Sequence, residues 1–293
     1  MRRLLVAAAI AMVGCGSGDG DSGGDSHTTH DDTDTHETEE HTHGTGEIGE
    51  HIHGIAYWKE TDEVVMGTHE GVHRTDAGSA DLVTLNDYGD YMGFVPDPFD
   101  SDRYWASGHW SDGGYGMWGF IESTDGGETW DEISLNGTAD FHQLASAPDT
   151  EDRIVGIWDA RAWVSDDAGR TWSDWPMSLA ATGLAVVGDS VLVAHGQGVT
   201  TFDLTGTETG ELVSGSISGL DRIGPDLAYS VGSSVFLCDV TATDCTEISA
   251  PGTVAHTLAR SADDADIVVL TSDDEVHHSD DGGETWAKIV DGG

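Results

Sequence analysis

Positively charged residues are few in this chain: its 293 residues carry 11 Lys and Arg against 55 Asp and Glu, a formal net charge of −44. Such a surface repels nucleic acid and anionic headgroups, so no nucleic-acid partner is expected, while cations are attracted. Long apolar runs are missing as well. The one run, Leu4 to Val13, is too short to span a bilayer, and helical periodicity does not recur after residue 14. Cysteine is limited to Cys15, Cys238 and Cys245. No His or further Cys lies near the last two, which argues against a cysteine metal centre. Seven apart in VFLCDVTATDCTEI, they predict a disulfide across a hairpin in an oxidising compartment.

The first residues form an export signal: Arg2 and Arg3, the apolar run, then Gly14-Cys15. A small residue directly before Cys15 is similar to the bacterial lipoprotein signal, in which the cysteine becomes the acylated first residue. Ordinary signal cleavage is the alternative. The expectation is therefore a signal over 1–14 and an exported lipoprotein in the periplasm, outer membrane or cell surface, its membrane partner reached through a lipid anchor at Cys15. Residues 15–50 contain no aromatic residue and one large aliphatic, Ile48. They cannot offset ordering entropy by burial and predict a flexible Asp/His-rich tether. Its five histidines, at 27, 30, 36, 41 and 43, either collect Zn²⁺ or Cu²⁺ loosely or are a solvated spacer.

What the remainder does have is repetition. STDGGETW at 123–130, SDDAGRTW at 165–172 and SDDGGETW at 279–286 share the phrase S-x-D-x-G-x-T-W. Ser and Asp side chains bond backbone groups in a tight turn, Gly supplies positive φ, and Thr-Trp starts a strand whose indole seals a gap between sheets. Asp125 and Asp167 are 42 apart and Asp167 and Asp281 are 114 apart, so the period is near 40, that of a propeller blade. Between and around the phrases, short apolar openings recur at His53, Met92, His142, Thr182, about Ser218 and His256. They predict an all-β β-propeller over 51–293, counted as six-bladed with five or seven blades left open by the poor match at Ser218, monomeric, with a degenerate turn at Arg74–Gly78 and the phrase lost from blades four and five.

In a four-stranded blade the A–B and C–D turns lie on one face, and the B–C turns and D-to-A connections on the other. The Asp phrase marks the C–D face. A-strand starts then bring His51, His53, Met92, His142 and His256 to the opposite mouth, and B–C turns add His69, His109 and His195. His73, His277 and His278 fall outside, in C strands. Imidazoles ligate Zn²⁺ and Cu²⁺, and a Met thioether favours reduced copper. His51-x-His53 places two imidazoles on one side of a strand by its period of two.

Carboxylates join that rim: Glu50, Glu70, Asp87, Asp90, Asp140 and Asp159. Asp90 and Asp140, preceding adjacent A strands, are the candidate catalytic pair for glycoside hydrolysis, which needs one protonated and one ionised carboxyl group about 5 to 10 Å apart. Tyr91, Phe94, Trp110, Phe141 and Trp158 lie near the same mouth. Most suit the core, but Trp110 and Trp158, with Met92, are candidate ligand-binding residues, and Trp110 sits in a Gly-rich loop.

The phrases STDGGETW, SDDAGRTW and SDDGGETW resemble the Asp-box or BNR repeats of sialidases, sortilin-type ectodomains and photosystem assembly factors. The segments HIHGIA, GTHEGV, DYMGF, ASGHW and DFHQLA are similar to those of small exported bacterial lipoproteins grouped with the glycosyl hydrolases. That likeness spans about residues 51–175 and the last Asp box, and implies a propeller with sialidase-like architecture. A sialidase clamps its substrate carboxylate with three arginines, one in an early Arg-Ile-Pro. None of Arg74, Arg103, Arg153, Arg161, Arg170, Arg222 and Arg260 stands in such a motif, so sialidase activity itself is not expected. Three functions follow as expectations: a ligand site, with Cu or Zn as its cofactor, at a His-lined mouth; a glycoside hydrolase; and an assembly scaffold. The partner is a metal ion, small ligand or glycan.

Overall fold

The structure is a computed structural model that describes residues 48, 51–58, 61–79, 81–110, 116–223, 226–252, 257–260 and 266–291. The signal, Cys15, the tether up to residue 47, Glu50 and His256 lie outside the described residues. Among the described residues, twenty-four strands form six antiparallel sheets, each made of four strands consecutive in the chain. The expected six-bladed propeller is therefore present. The first strand of each blade is its innermost: β1 (Ile52–Trp58), β5 (Asp90–Asp97), β9 (Gln143–Ser146), β13 (Ala181–Val187), β17 (Gly219–Ile223) and β21 (Thr257–Arg260). Each touches the next around the ring, and β21 touches β1.

Neighbouring inner strands approach closely where a glycine lies in the strand, as in β1 and β5. A Cβ on Gly54 would stand 2.7 Å from the Phe94 carbonyl oxygen, and one on Gly93 would stand 2.5 Å from that of Phe141. Between the blades lie six apolar clusters, one at each of the six blade–blade boundaries. The Asp-box tryptophans do the sealing expected of them. Trp130 packs on the cluster between blades 1 and 2, Trp172 between blades 2 and 3, and Trp286 between blades 5 and 6. At about 25 cal/mol per Å² of apolar area, each indole is among the larger single contributions to its boundary.

The Asp-box turn is held by side chains rather than strand pairing. In blade 3 the Ser165 hydroxyl donates to Asp167 Oδ1 at 2.8 Å and accepts the Gly169 amide at 2.9 Å, while the Thr171 amide and hydroxyl donate to the two oxygens of Asp167 at 2.8 and 2.6 Å. Ser279, Asp281, Gly283 and Thr285 repeat the arrangement in blade 6. Blades 4 and 5 lack the phrase but solve the same problem with Asp-x-Thr-x-Thr: Asp203 Oδ1 accepts the Thr207 amide at 2.9 Å and Asp239 Oδ1 accepts the Thr243 amide at 2.8 Å. Asp167, Asp203, Asp239 and Asp281 are each held down to about 2 by these donors.

Backbone bonds fix the face on which those turns lie. The amides of Ala77, Gly126 and Ala168, in C–D turns, donate to the carbonyls of Asp62, Asp102 and Asp152, at the A–B turns, at 2.7, 2.8 and 3.0 Å. Arginines bridge neighbouring blades there too. Arg103 of blade 2 pairs with Asp152 of blade 3 at 3.1 Å, and Arg153 of blade 3 with Asp189 of blade 4 at 2.8 Å. Blade 5 carries the expected disulfide: Cys238 of β19 (Ser234–Asp239) and Cys245 of β20 (Cys245–Ser249) are directly opposite and bonded. Ile48 donates its amide to Asp291 O at 3.2 Å and packs on the cluster between blades 6 and 1.

Candidate functional site

The opposite face is built from irregularities in the inner strands. The pairing of β1 with β2 (Glu63–Thr68) slips between Ile52 and Gly54, leaving His53 as the extra residue. The same slip occurs at Tyr91–Met92 in β5 and at Thr182 in β13. A β-bulge re-aims a side chain and bends its strand, and His53, Met92 and Thr182 all line the central channel. The period-of-two reading of His51-x-His53 thus fails at the bulge, yet the two rings stay together, with centroids 4.8 Å apart.

Around the mouth, imidazoles and carboxylates alternate over four blades. His51 Nδ1 lies 2.6 Å from Asp274 Oδ1 of blade 6, and that oxygen also accepts the Ile52 amide at 3.2 Å. His53 stacks on His69 at 4.6 Å. His53 Nε2 is 3.1 Å from Asp90 Oδ1 and His69 Nδ1 is 3.6 Å from Asp90 Oδ2. His109 Nε2 stands between two carboxylates, 3.7 Å from Asp90 Oδ2 and 3.9 Å from Asp140 Oδ2; His142 Nε2 is 3.5 Å from that same oxygen of Asp140.

Burial sorts this arc. The side chains of His53, Asp90 and Asp140 are 9%, 9% and 8% exposed, whereas His51, His69, His109 and His142 are open to solvent by 39% or more. The 3.1 Å approach of His53 to Asp90 does not make a hydrogen bond. His53 Nε2, Asp90 Oδ1 and Asp140 Oδ1 are consequently buried polar atoms with no hydrogen-bond partner. Each such atom costs about 1–3 kcal/mol unless something else satisfies it.

Electrostatics follow from the same placement. Burial lowers the His53 pKa against the opposing pull of Asp90, so its ring is neutral at pH 7. Burial alone would raise Asp90, but the contact with His53 and the imidazoles of His53, His69 and His109 hold it below the usual carboxylate range. Contact with Asp140 raises His142, against the opposing effect of burial. His53, His69 and Asp90 each offer a ligand atom within 4.8 Å of the others. The two imidazole–carboxylate separations fall inside the roughly 4 Å that two metal bonds of about 2 Å can span.

Not every residue singled out in the sequence joins the group. Both ring nitrogens of His195 are engaged within its own blade, Nε2 with the Thr200 hydroxyl at 2.9 Å and Nδ1 with the Gln197 amide at 3.3 Å. Tyr91, Phe94 and Phe141 are buried in the boundary clusters. Trp110 is exposed, and Trp158 sits half-buried with its ring 5.8 Å from that of His142. Asp87 and Asp159 are exposed in top-face connections. One participant was missed, Asp274. Asp274 was findable: it lies in the B–C turn of blade 6, which the parity of turns already assigned to this mouth. Below the mouth, a channel cavity of about 570 Å³ runs past Phe94, Leu144 and Leu184 toward Arg222.

Fold and turns together define the class, a six-bladed β-propeller with BNR/Asp-box repeats. A sequence model of the BNR/Asp-box repeat matches residues 277–288, around the third box. No curated protein matches the chain. Among solved structures, a chain of the nidogen/laminin complex superposes with a TM-score of 0.61 at 10% identity, covering 78% of this chain and 93% of that one. The GH74 xyloglucanase from Xanthomonas campestris gives 0.53 at 17%, covering 84% of this chain and 46% of the enzyme. The Neurospora crassa Pan2 WD40 domain gives 0.53 at 11%, covering 83% and 80%. At these identities the likeness is one of fold.

Proposed function

We propose that this propeller is an exported, lipid-anchored protein that binds a transition metal ion, Zn²⁺ or Cu²⁺, at the channel mouth through His53, His69 and Asp90. The observation that carries this reading is the pair of orphaned buried atoms, His53 Nε2 and Asp90 Oδ1, facing each other beside His69. A divalent ion would satisfy both at once. Neutral His53 has a free lone pair, ionised Asp90 supplies charge, and two imidazoles with one carboxylate leave coordination positions open for a ligand from solvent. His109 and His142 are placed to orient Asp90 and Asp140 around it, and Met92 lines the channel just below. The Cys238–Cys245 disulfide supports export to an oxidising compartment.

The test uses the mature chain with the five tether histidines changed to serine, so that only the mouth can bind. After loading with Zn²⁺ or Cu²⁺ and desalting, about one equivalent should remain, and less than about 0.2 equivalents would overturn the reading.

A second reading, glycoside hydrolysis, is favoured by Asp90 and Asp140 facing the same His109 nitrogen, which keeps the two carboxylates closer together than the roughly 10 Å upper limit of the span such enzymes use. Because the imidazoles hold Asp90 ionised, Asp140 would have to be the proton donor. Hydrolysis of a glycan that survives Asp140→Asn unchanged removes this reading.

A further inference from the structure

Two large aromatic side chains stand in solvent beside the mouth. Tyr88 is 44% and Trp110 43% exposed, and their rings stack at 5.8 Å with an interplanar angle of 23°. The step they form is built. Trp110 meets Trp118 edge-on at 5.4 Å, and Trp118 in turn meets buried Tyr91 at 5.1 Å. Gly89, at φ +96°, lies so close over the Trp118 ring that a Cβ would stand 2.0 Å from it. Asn86 Oδ1 accepts the Tyr88 amide at 3.1 Å and fixes the turn that presents the phenol. Leaving two such faces in water forgoes burial that the neighbouring core would reward, and organised exposed patches of this kind mark interaction sites.

Charge decides the occupant. The step lies between the acidic turns of blades 1 and 2: Asp87 precedes Tyr88 and is exposed, and exposed Glu70 is brought alongside by Gly71, which lies against the Asn86 carbonyl and Asp87. Among the described residues no Lys or Arg of blades 1 and 2 reaches this face. Arg74 pairs with Glu63, and Arg103 with Asp97, Glu122 and Asp152, all toward the Asp-box side. Arg161 and Lys288, in blades 3 and 6, are neutralised by Asp174 and by Glu275 and Asp291. An aromatic face ringed by carboxylates and cleared of cations selects a flat cation, and guanidinium stacks on indole and phenol better than ammonium does.

We propose that the Tyr88–Trp110 step is a docking site for an arginine-bearing peptide segment, whose guanidinium stacks on the exposed rings while Glu70 and Asp87 supply the counter-charge. Neither ring is a metal ligand, so the site stands apart from the metal reading. The test titrates fluorescently labelled hexaarginine amide into the full-length protein at about 0.15 M salt, where long-range attraction to the acidic surface is screened. Trp110→Ala and Tyr88→Ala should each weaken binding about tenfold with unchanged thermal melting, and hexalysine should bind more weakly than hexaarginine. Tyr88→Phe keeps the stack and should retain affinity. Three results would overturn the proposal: no binding to the parent protein, equal affinity in the alanine variants, or a neutral oligosaccharide that competes for the same rings.

Discussion

On the Asp-box face, Asp167 accepts from the Thr171 amide, the Thr171 hydroxyl and the Ser165 hydroxyl, and Arg153 and Arg103 pair with carboxylates across blade boundaries. At the channel mouth, among the described residues, the charged or titratable partners of Asp90 and Asp140 are imidazoles, and each carboxylate keeps one buried oxygen without a hydrogen-bond partner. The same residue type is spent on stability at one end and left unspent at the other. Turns that recur in blade after blade can afford complete hydrogen bonding because their job is to hold shape. Incomplete bonding in a buried carboxylate is tolerated where an outside group completes it, and on that ground the mouth rather than the Asp boxes is the proposed site.

This contrast can be broken by experiment, most forcefully at the proposed metal site. Asp90→Asn should lower Zn²⁺ or Cu²⁺ affinity by about 100-fold by isothermal titration, while Asp281→Asn, on the other face, leaves it unchanged. Equal losses would erase the distinction between the ends.

A smaller effect concerns stability. Ser165→Ala removes the hydroxyl that serves both Asp167 and the Gly169 amide, and should cost about 1–3 kcal/mol in denaturant unfolding. In metal-free protein Asp140→Asn should cost less than Ser165→Ala, because one oxygen of the carboxylate it replaces has no hydrogen-bond partner to lose. A large loss at Asp140 would make it a structural residue like Asp167.

The smallest expected effects are in pH dependence, and here the ends titrate in different windows. The box aspartates Asp167 and Asp281 are depressed to about 2 from 3.8, so their contribution is complete above pH 3.8 and is lost as pH falls toward 2. At the mouth, His53 is depressed and favours the folded state above pH 6.5, losing that contribution on acidification. His142 is raised and contributes below 6.5, losing it as pH rises. NMR titration of the metal-free protein should find the His53 midpoint below 6.5 and the His142 midpoint above it; a shared midpoint would show that the arc does not sort its imidazoles.

Much of the frame was legible before any coordinates. S-x-D-x-G-x-T-W states its own hydrogen bonds, since Ser, Asp, Gly and Thr each have one geometric use in so short a turn, and its spacing counts the blades. The Asp203 and Asp239 turns escaped notice because a different residue order performs the same bonding. His195 met the positional rule of the mouth yet turned to Thr200, a choice set by one neighbouring hydroxyl. The pairing of Tyr88 with Trp110 joins residues 22 positions apart, through a turn whose shape depends on Trp118 beneath it.

By itself the amino-acid sequence determined the all-β repeat, a blade count of about six, the hairpin disulfide and the face on which the histidines gather, because each follows from local turn chemistry and a period of about 40 residues. Only the tertiary structure decided which of those histidines are buried, which carboxylates they face and which atoms are left without a partner. Those properties depend on bulges that re-aim His53 and Met92 and on the close approach of neighbouring blades, and both arise from contacts between segments that the repeat itself does not encode.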